Sequence, residues 1–297
     1  MWRREIGNAG ASHGQKNLFP MARLKPWETS SNPVPLFPVL KILAKIRFRA
    51  SDFANQRHCP LPKFFHTMRL NRFLASAGLG SRRGVEELIT AGQVRINGHL
   101  VTDLATKVGP EDTVKVGARI VRQQQALTAV LAKPRGYVCT ADDECQRRTI
   151  FELLPAGWPR VHHVGRLDMD SEGLLIVTND GDLSLALTHP RYKIDKEYEV
   201  LIDKPFDRQD REKLLRGFHI MGGRAKAERV EILAPKHLRL TLNQGIKRQI
   251  RLMLYELGYE VERLVRTRIG PLKIAAMRPG EWRILTGKEV AALKEPA

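Results

Sequence analysis

Apolar residues recur with helical spacing shortly after Met68. The first predicted helix carries them at i, i+3, i+4 and i+7, as Leu70, Phe73, Leu74 and Ala77. A second helix is predicted over residues 82–91, with Ser81 as its N-cap. Alternation over residues 94–101, interrupted by Asn97 and Gly98, predicts a β-hairpin. Residues 68–127 therefore form a small module of two helices and a short sheet.

The second part of the chain shows strand patterns and another helix. Leu174 to Val177 is a continuous apolar run of strand length, which predicts a buried strand. Residues 196–202 alternate and predict a strand with one buried face. Ile250, Met253, Leu254 and Leu257 fall at i, i+3, i+4 and i+7, which predicts a helix that Gly258 ends. We expect an α+β fold with a second domain over residues 128–297.

Composition supports a folded protein without a membrane-spanning helix. The chain has 297 residues, of which 42% are hydrophobic, enough to bury a sizeable core. It contains no uncharged apolar run of about 18 residues, so a transmembrane helix is excluded. Its three cysteines form no C-x-x-C pair, which favours incidental thiols in a reducing cytoplasm.

Charge divides the chain and indicates its partner. The formal net charge is +18, which favours a polyanionic partner, nucleic acid before an anionic membrane. Residues 1–67 hold 11 basic and 3 acidic residues without a lasting periodic pattern. We predict a disordered basic extension there, or upstream sequence translated from a start placed too early. Residues 40–49 could alternatively form a short basic amphipathic helix for a membrane surface or targeting.

Basic residues cluster near the starts of two predicted helices. Arg82 and Arg83 follow the N-cap of the second helix, where the helix dipole disfavours cations unless an anion is bound. This pattern predicts a phosphate clamp, although a solvated basic turn would have the same sequence. Lys247, Arg248 and Arg251 crowd the start of the later helix in the same way. A phosphate or a carboxylate of the protein would account for them.

Two carboxylates, Asp168 and Asp170, precede the predicted buried strand at 174–177. A side chain there is held firmly and can face a cleft. An Asp-x-Asp pair can hold a divalent metal, but no His or Glu cluster at ligand spacing accompanies it, so we expect no metal. An ordinary turn carboxylate is the alternative for Asp168.

Two resemblances connect these features. The segments Arg-Leu-Asn-Arg-Phe-Leu, Gly-Leu-Gly-Ser-Arg-Arg and Val-Arg-Ile-Asn-Gly resemble the alpha-L RNA-binding domain over residues 69–122. Residues 128–285 resemble the catalytic domain of ribosomal pseudouridine synthases of the RsuA family. The three matching motifs are G-R-L-D-x-x-S-x-G-L-L from Gly165, K-x-Y-x-V from Lys196 and R-Q-I-R from Arg248. The sequence departs from relatives at Lys247 and Leu252, where Asn and Arg are frequent.

The resemblance implies a fold, an activity and residue roles. It implies a mixed, mainly antiparallel sheet flanked by helices and the isomerisation of a uridine in rRNA to pseudouridine. Asp168 would be the catalytic aspartate, Tyr198 would stack on the target base and assist proton removal, and Arg251 would pair with Asp168. RNA contacts are implied for a further set of basic residues, Arg72, Arg82, Arg83, Arg166, Lys247 and Arg248.

Several alternatives remain open at this stage. Asp168 can act as a nucleophile or as a base at C2′, and the reaction needs no cofactor. The resemblance favours 23S over 16S rRNA, either as free RNA or in a pre-ribosomal particle, and a monomer that does not bind membranes. A non-catalytic RNA-binding protein and a hydrolase using Asp168 with Asp170 are the competing classes.

Overall fold

The structure, a computed structural model, describes residues 67–141, 143–274 and 276–295. The predicted extension, apart from Thr67, and the amphipathic segment 40–49 lie outside these ranges. The described residues belong to one compact unit. None of the helices within them is long and apolar enough to cross a membrane.

The N-terminal part contains two short helices and short antiparallel strands. Its elements are β1 (Met68–Arg69), α1 (Leu70–Ser76), α2 (Gly84–Thr90), β2 (Val94–Ile96), β3 (His99–Val101), β4 (Lys107–Val108), β5 (Val114–Val116) and β6 (Arg119–Val121). The main sheet has the order β3-β2-β5-β6, and β1 pairs with β4 separately. Asn97 and Gly98 have φ values of 50° and 88°, as the predicted tight hairpin requires.

Helix α2 starts two residues later than its pattern predicts. The Gly84 N–H donates to Ser81 Oγ at 3.0 Å, and the Val85 N–H donates to the Ser81 carbonyl at 2.9 Å. Ser81 therefore closes a turn that contains Arg82 and Arg83, and the N-cap of the helix is Arg83 instead of the predicted Ser81. Both arginines are exposed.

The C-terminal part contains most of the sheet. Its strands are β7 (Thr128–Lys133), β8 (His162–Val164), β9 (Glu172–Thr178), β10 (Lys196–Ile202), β11 (Phe218–Ile220), β12 (Gly223–Ala225), β13 (Arg229–Ala234), β14 (His237–Leu242), β15 (Val261–Ile269), β16 (Leu272–Lys273) and β17 (Trp282–Ile284). Its α-helices are α3 (Gly181–Thr188), α4 (Asp210–Arg216), α5 (Gln249–Glu256) and α6 (Gly287–Lys294). The predicted strands near 174 and 196 and the predicted helix near 250 are all present.

The central sheet is mixed and mainly antiparallel, as predicted. Its order is β13-β14-β10-β15-β9-β7-β17, with β16 added to β15 and β8 added to β9. Strands β15 and β9 are parallel, and the other described pairs of this sheet are antiparallel. The start of β9 pairs with β15, whereas its end pairs with β8 on the same side. The loop that joins β8 to β9 therefore lies where β8 and β15 diverge.

The sheet is covered on both faces around β9, which explains its unbroken apolar sequence. Leu174 and Ile176 pack in a cluster with α3 and α6. Leu175 and Val177 pack in another cluster with Ile150 on the opposite face. Because alternate residues of a strand point to opposite faces, both sets of β9 side chains must be apolar. A third cluster packs α4 and α5 against β10, β13 and β14.

Candidate active site

A cavity of about 870 Å³ opens where the β8–β9 loop meets β10 and the start of α5. Five residues with predicted roles in catalysis or RNA binding line it, and the first four along the chain are Arg166, Asp168, Tyr198 and Lys247. Arg248 is the fifth. Segments distant in sequence thus converge on one cavity, because β9, β15 and β10 are neighbours in the sheet.

Lys133 holds the backbone around Asp168 through hydrogen bonds, a role that the sequence did not indicate. This side chain is 1% exposed, and its Nζ donates to the carbonyls of Ser171, Asp168 and Pro134 at 2.7, 3.0 and 3.1 Å. Burial lowers the pKa of Lys133, while the nearby Cys139 and acidic side chains oppose that shift. A buried ammonium group with three backbone acceptors fixes the loop that carries Asp168.

A second buried cation, Arg266, holds the other side of the same loop. It is 2% exposed, and its Nε donates to the carbonyl of Leu174 at 2.7 Å. Its Nη1 donates to the carbonyl of Arg166 at 3.5 Å. The backbones of β15 and β9 approach closely here: a Cβ at Gly173, which has φ +106°, would lie 2.3 Å from the carbonyl oxygen of Arg266. Glycine is therefore required at this crossing.

Two arginines and two aspartates form a cluster of ion pairs next to the cavity, and of these four residues Asp168 and Arg248 line it. Arg251 Nε lies 3.2 Å from Oδ2 of Asp170, and Arg248 Nη1 lies 3.4 Å from Oδ1 of Asp170. Arg248 Nη1 also lies 3.9 Å from Oδ2 of Asp168. Arg248 precedes α5 in a left-handed conformation with φ 55°, so it lies outside the helical turn where the sequence pattern placed it.

This pairing differs from the one that the resemblance implies. The expected partner of Arg251 is Asp168, yet the carboxylate it contacts is that of Asp170. Hydrogen bonds to the backbone explain this choice of partner, because Arg251 donates to the carbonyl of Val261 at 2.9 Å and to that of Asp170 at 3.0 Å. These two bonds turn its Nε toward the Asp170 side chain and leave Arg248 as the cation beside Asp168.

Tyr198 lies in the middle of β10 and faces the cavity. Its Cα is opposite Leu240 of β14 and Arg266 of β15. The ring is half-buried and packs against the cluster that contains α5. One part of the ring is therefore held by the core, while its lining position leaves part of it accessible from the cavity.

The predicted RNA-binding residues occupy two regions. Arg166, Lys247 and Arg248 are exposed at the cavity, as an RNA contact requires. Arg82 and Arg83 lie in the exposed turn before α2 of the N-terminal part. The structure brings the first group together with Asp168 and places the second group on a separate element.

Arg72, the remaining predicted RNA contact, is engaged within the protein. Its Nη2 lies 2.5 Å from Oδ2 of Asp182 in the first turn of α3. A further hydrogen bond between the two parts runs from the Leu127 N–H to Oδ1 of Asn179 at 2.7 Å. Arg72 thus fastens the N-terminal part to α3, and its contact with RNA stays a prediction.

The charged side chains of the site are arranged in ion pairs. In the ranges that the structure describes, no group of three or more His, Cys, Asp or Glu side chains could hold a metal ion. Asp170 is compensated by two guanidinium groups, and Asp168 lies beside one of them with its backbone fixed. This arrangement presents one oriented carboxylate to a ligand in the cavity.

Fold and site together define an RNA-modifying enzyme. Residues 68–114 match the S4 domain family, and residues 128–256 match the RNA pseudouridylate synthase family. The chain belongs to the RNA pseudouridine synthase family, with an S4 domain at the N-terminal side of its catalytic domain.

Individual relatives match over about three quarters of this chain. The chain is 35% identical over 232 residues to ribosomal large subunit pseudouridine synthase B of Bacillus subtilis, covering 76% of this chain and 95% of that protein. It is 37% identical over 230 residues to the dual-specificity RNA pseudouridine synthase RluF of Escherichia coli, covering 76% and 78%. A crystal structure of a pseudouridylate synthase matches with TM-score 0.57 and 28% identity, covering 76% of this chain and 99% of that one.

Proposed function

We propose that this protein converts a specific uridine of ribosomal RNA to pseudouridine, and that large-subunit rRNA is its substrate. The likeness to a large-subunit synthase supports the choice of RNA. The observation that carries the chemical proposal is the position of Asp168, held by Lys133 beside Arg248 in a cavity that Tyr198 also lines.

The proposed reaction needs the target base outside its stack. Extrusion from folded RNA costs a few kcal/mol, which contacts to phosphates and stacking on an aromatic ring offset. Tyr198 is the ring at the cavity, and Arg166, Lys247 and Arg248 are the exposed cations around it. Arg82 and Arg83 would bind a more distant part of the RNA backbone.

Asp168 would then open the glycosidic bond. The N1–C1′ bond breaks with its electron pair going to N1, the base turns, and a C5–C1′ bond forms. The C5 proton is lost and N1 regains a proton, so the product is an isomer of the substrate. Asp168 would either attack C1′ or remove the C2′ proton, and deuterium at C2′ separates the two routes because only the second breaks that bond.

The accompanying proposals concern organisation and partners. We infer an S4-type RNA-binding domain over residues 68–127 and a catalytic domain over residues 128–297. The substrate is free rRNA or a pre-ribosomal particle in the cytoplasm, and the protein acts as a monomer without a cofactor. The separate S4-type turn and the cavity give the enzyme two places to contact one RNA.

The decisive test is replacement of Asp168 by Asn, which keeps the shape of the side chain and removes its charge. We expect Asp168→Asn to abolish pseudouridine formation in rRNA while changing RNA affinity less than about twofold, because the carboxylate contributes no phosphate contact. Pseudouridine mapping of rRNA from cells with and without the wild-type protein identifies the site. Turnover by the Asn variant would refute the assignment, and release of free uracil by the wild type would indicate a hydrolase.

A further inference from the structure

Lys196 is a cation of the cavity with no assigned role. It is the first residue of β10, two positions before Tyr198, so the two side chains share a strand face about 7 Å apart. Both line the cavity together with Asp168. Any base that lies against the Tyr198 ring is therefore within reach of a lysine side chain from the same strand.

The neighbouring carboxylate of Glu197 does not neutralise this ammonium group. Strand alternation directs Glu197 to the opposite face, where it pairs with Arg268 at 3.5 Å and Arg239 at 3.8 Å. Lys196 Nζ instead donates to the carbonyl of Ile194 at 3.0 Å. Among the described residues, that is the one hydrogen bond of the group, which leaves two of its three hydrogens for a ligand.

The surroundings of the Lys196 ammonium group favour the binding of a ligand oxygen beside it. Lys196 is half-buried, and the buried guanidinium of Arg266 lies on the adjacent strand. Burial first and the charge of Arg266 second lower the pKa of Lys196 to about 8, while Asp195 acts in the opposite direction. The group is thus mainly protonated at neutral pH and forms no ion pair within the described residues, so an electron-rich oxygen of a ligand would stabilise its charged form.

We propose that Lys196 contacts the target uracil and donates a hydrogen bond to one of its carbonyl oxygens, O2 or O4. This inference rests on the proposed function. When the N1–C1′ bond breaks, the electron pair left on N1 is delocalised onto both carbonyl oxygens. A cation fixed beside either oxygen stabilises that charge as it develops, which makes Lys196 a catalytic residue of the bond-breaking step.

A phosphate oxygen shares this chemistry but fits the position less well. Arg166 and Lys247 are exposed at the cavity and suit the backbone of an RNA strand, which stays close to solvent. Lys196 is half-buried on the same strand as the tyrosine expected to stack on the base. The base and not the phosphate is therefore the group that reaches it.

The first experiment separates the two kinds of contact by kinetics. With an rRNA fragment that the wild type modifies, we expect Lys196→Met to lower kcat about 100-fold with KM and the salt dependence of binding unchanged. Lys196→Arg should recover part of the loss, because it restores the positive charge. A phosphate contact would instead raise KM and reduce the salt slope by about one with kcat intact, and this result would overturn the proposal.

The second experiment uses the substrate, so it holds even if Lys196→Met folds poorly. Sulfur accepts hydrogen bonds weakly, so RNA with 2-thiouridine or 4-thiouridine at the target should slow the wild type at whichever position Lys196 contacts. That slowing should shrink in Lys196→Arg, whose donor geometry differs, and vanish in a folded Lys196→Met. Equal slowing in the wild type and in Lys196→Arg would overturn the proposal, whether or not Lys196→Met folds.

Matched controls keep the two proposals apart. Lys288 is exposed on α6, away from the cavity lining, so Lys288→Met should behave as the wild type. A wild type that forms no pseudouridine in any rRNA would reject the proposed function itself. An active wild type with an unaffected Lys196→Met rejects only the role of Lys196.

Discussion

Replacement of Lys133 by Met tests how the loop of Asp168 is held. Methionine has nearly the length of lysine but cannot donate hydrogen bonds or carry charge. The change removes the three bonds from Nζ to the carbonyls of Ser171, Asp168 and Pro134. Because the side chain is 1% exposed, water cannot replace these bonds without opening the sheet.

The magnitude follows from two opposing contributions. Hydrogen bonds from a charged donor are worth about 1.5–3 kcal/mol each, so three of them contribute roughly 5–9 kcal/mol. Removing a buried ammonium group recovers a desolvation cost of several kcal/mol. The expected net loss is roughly 2–4 kcal/mol, or a decrease in Tm of roughly 5–15 °C. A displacement of Asp168 by about 1 Å would also lower kcat about 100-fold.

Thermal unfolding and single-turnover kinetics of Lys133→Met measure these two effects. Lys288→Met is the control, since it makes the same change at an exposed site. RNA affinity should remain within about twofold of the wild type, because Lys133 lies beneath the loop and faces away from solvent. A Lys133→Met variant with wild-type Tm and kcat would refute the reasoning that Nζ holds the loop.

Two further predictions concern positions away from the reacting atoms. Gly173→Ala should destabilise the protein by more than about 3 kcal/mol in thermal unfolding, because residue 173 has φ +106° and an added Cβ would meet the Arg266 backbone. Gly157→Ala is the control and should be neutral, since no atom lies within 4 Å of an added Cβ there. The Arg283 guanidinium and the Thr286 cap lower the pKa of Glu289 to about 2. The stability that ionised Glu289 contributes is therefore complete above about pH 4.5 and is lost as the pH falls toward 2. The difference in unfolding midpoint between the wild type and Glu289→Gln should shrink over that pH range. A difference that stays constant would contradict this prediction.

The sequence predicted the regular elements near the site because their patterns are local. The strand at 196–202 has the predicted bounds, and the buried run at 174–177 lies inside β9. The motif that begins at Gly165 placed Asp168 on the loop before that strand, where the structure has it. Periodicity identified these elements since each buries its apolar face against a neighbour.

The supporting cations were not predicted, because their partners are distant in sequence. Lys133 precedes a proline at the end of β7, yet it contacts carbonyls 35 and 38 residues further on. A charged residue that ends a fully buried strand was the available signal. The partner of Arg251 was misplaced for a similar reason: helical periodicity gives the face of α5 but not its rotation relative to the Asp168 loop.

The parallel pairing of β9 with β15 has a consequence for how the chain acquires its site. Contacts that shape the cavity span large separations, 81 residues between Arg251 and Asp170 and 100 between Arg266 and Arg166. Contacts of this kind form late and slowly during folding, because closing a long loop lowers the entropy of the chain before the stabilising contacts form. During synthesis the polypeptide must extend beyond β15 before Arg266 can add its support to the loop of Asp168. The residues that match the S4 domain family are thus synthesised well before the cavity can be completed.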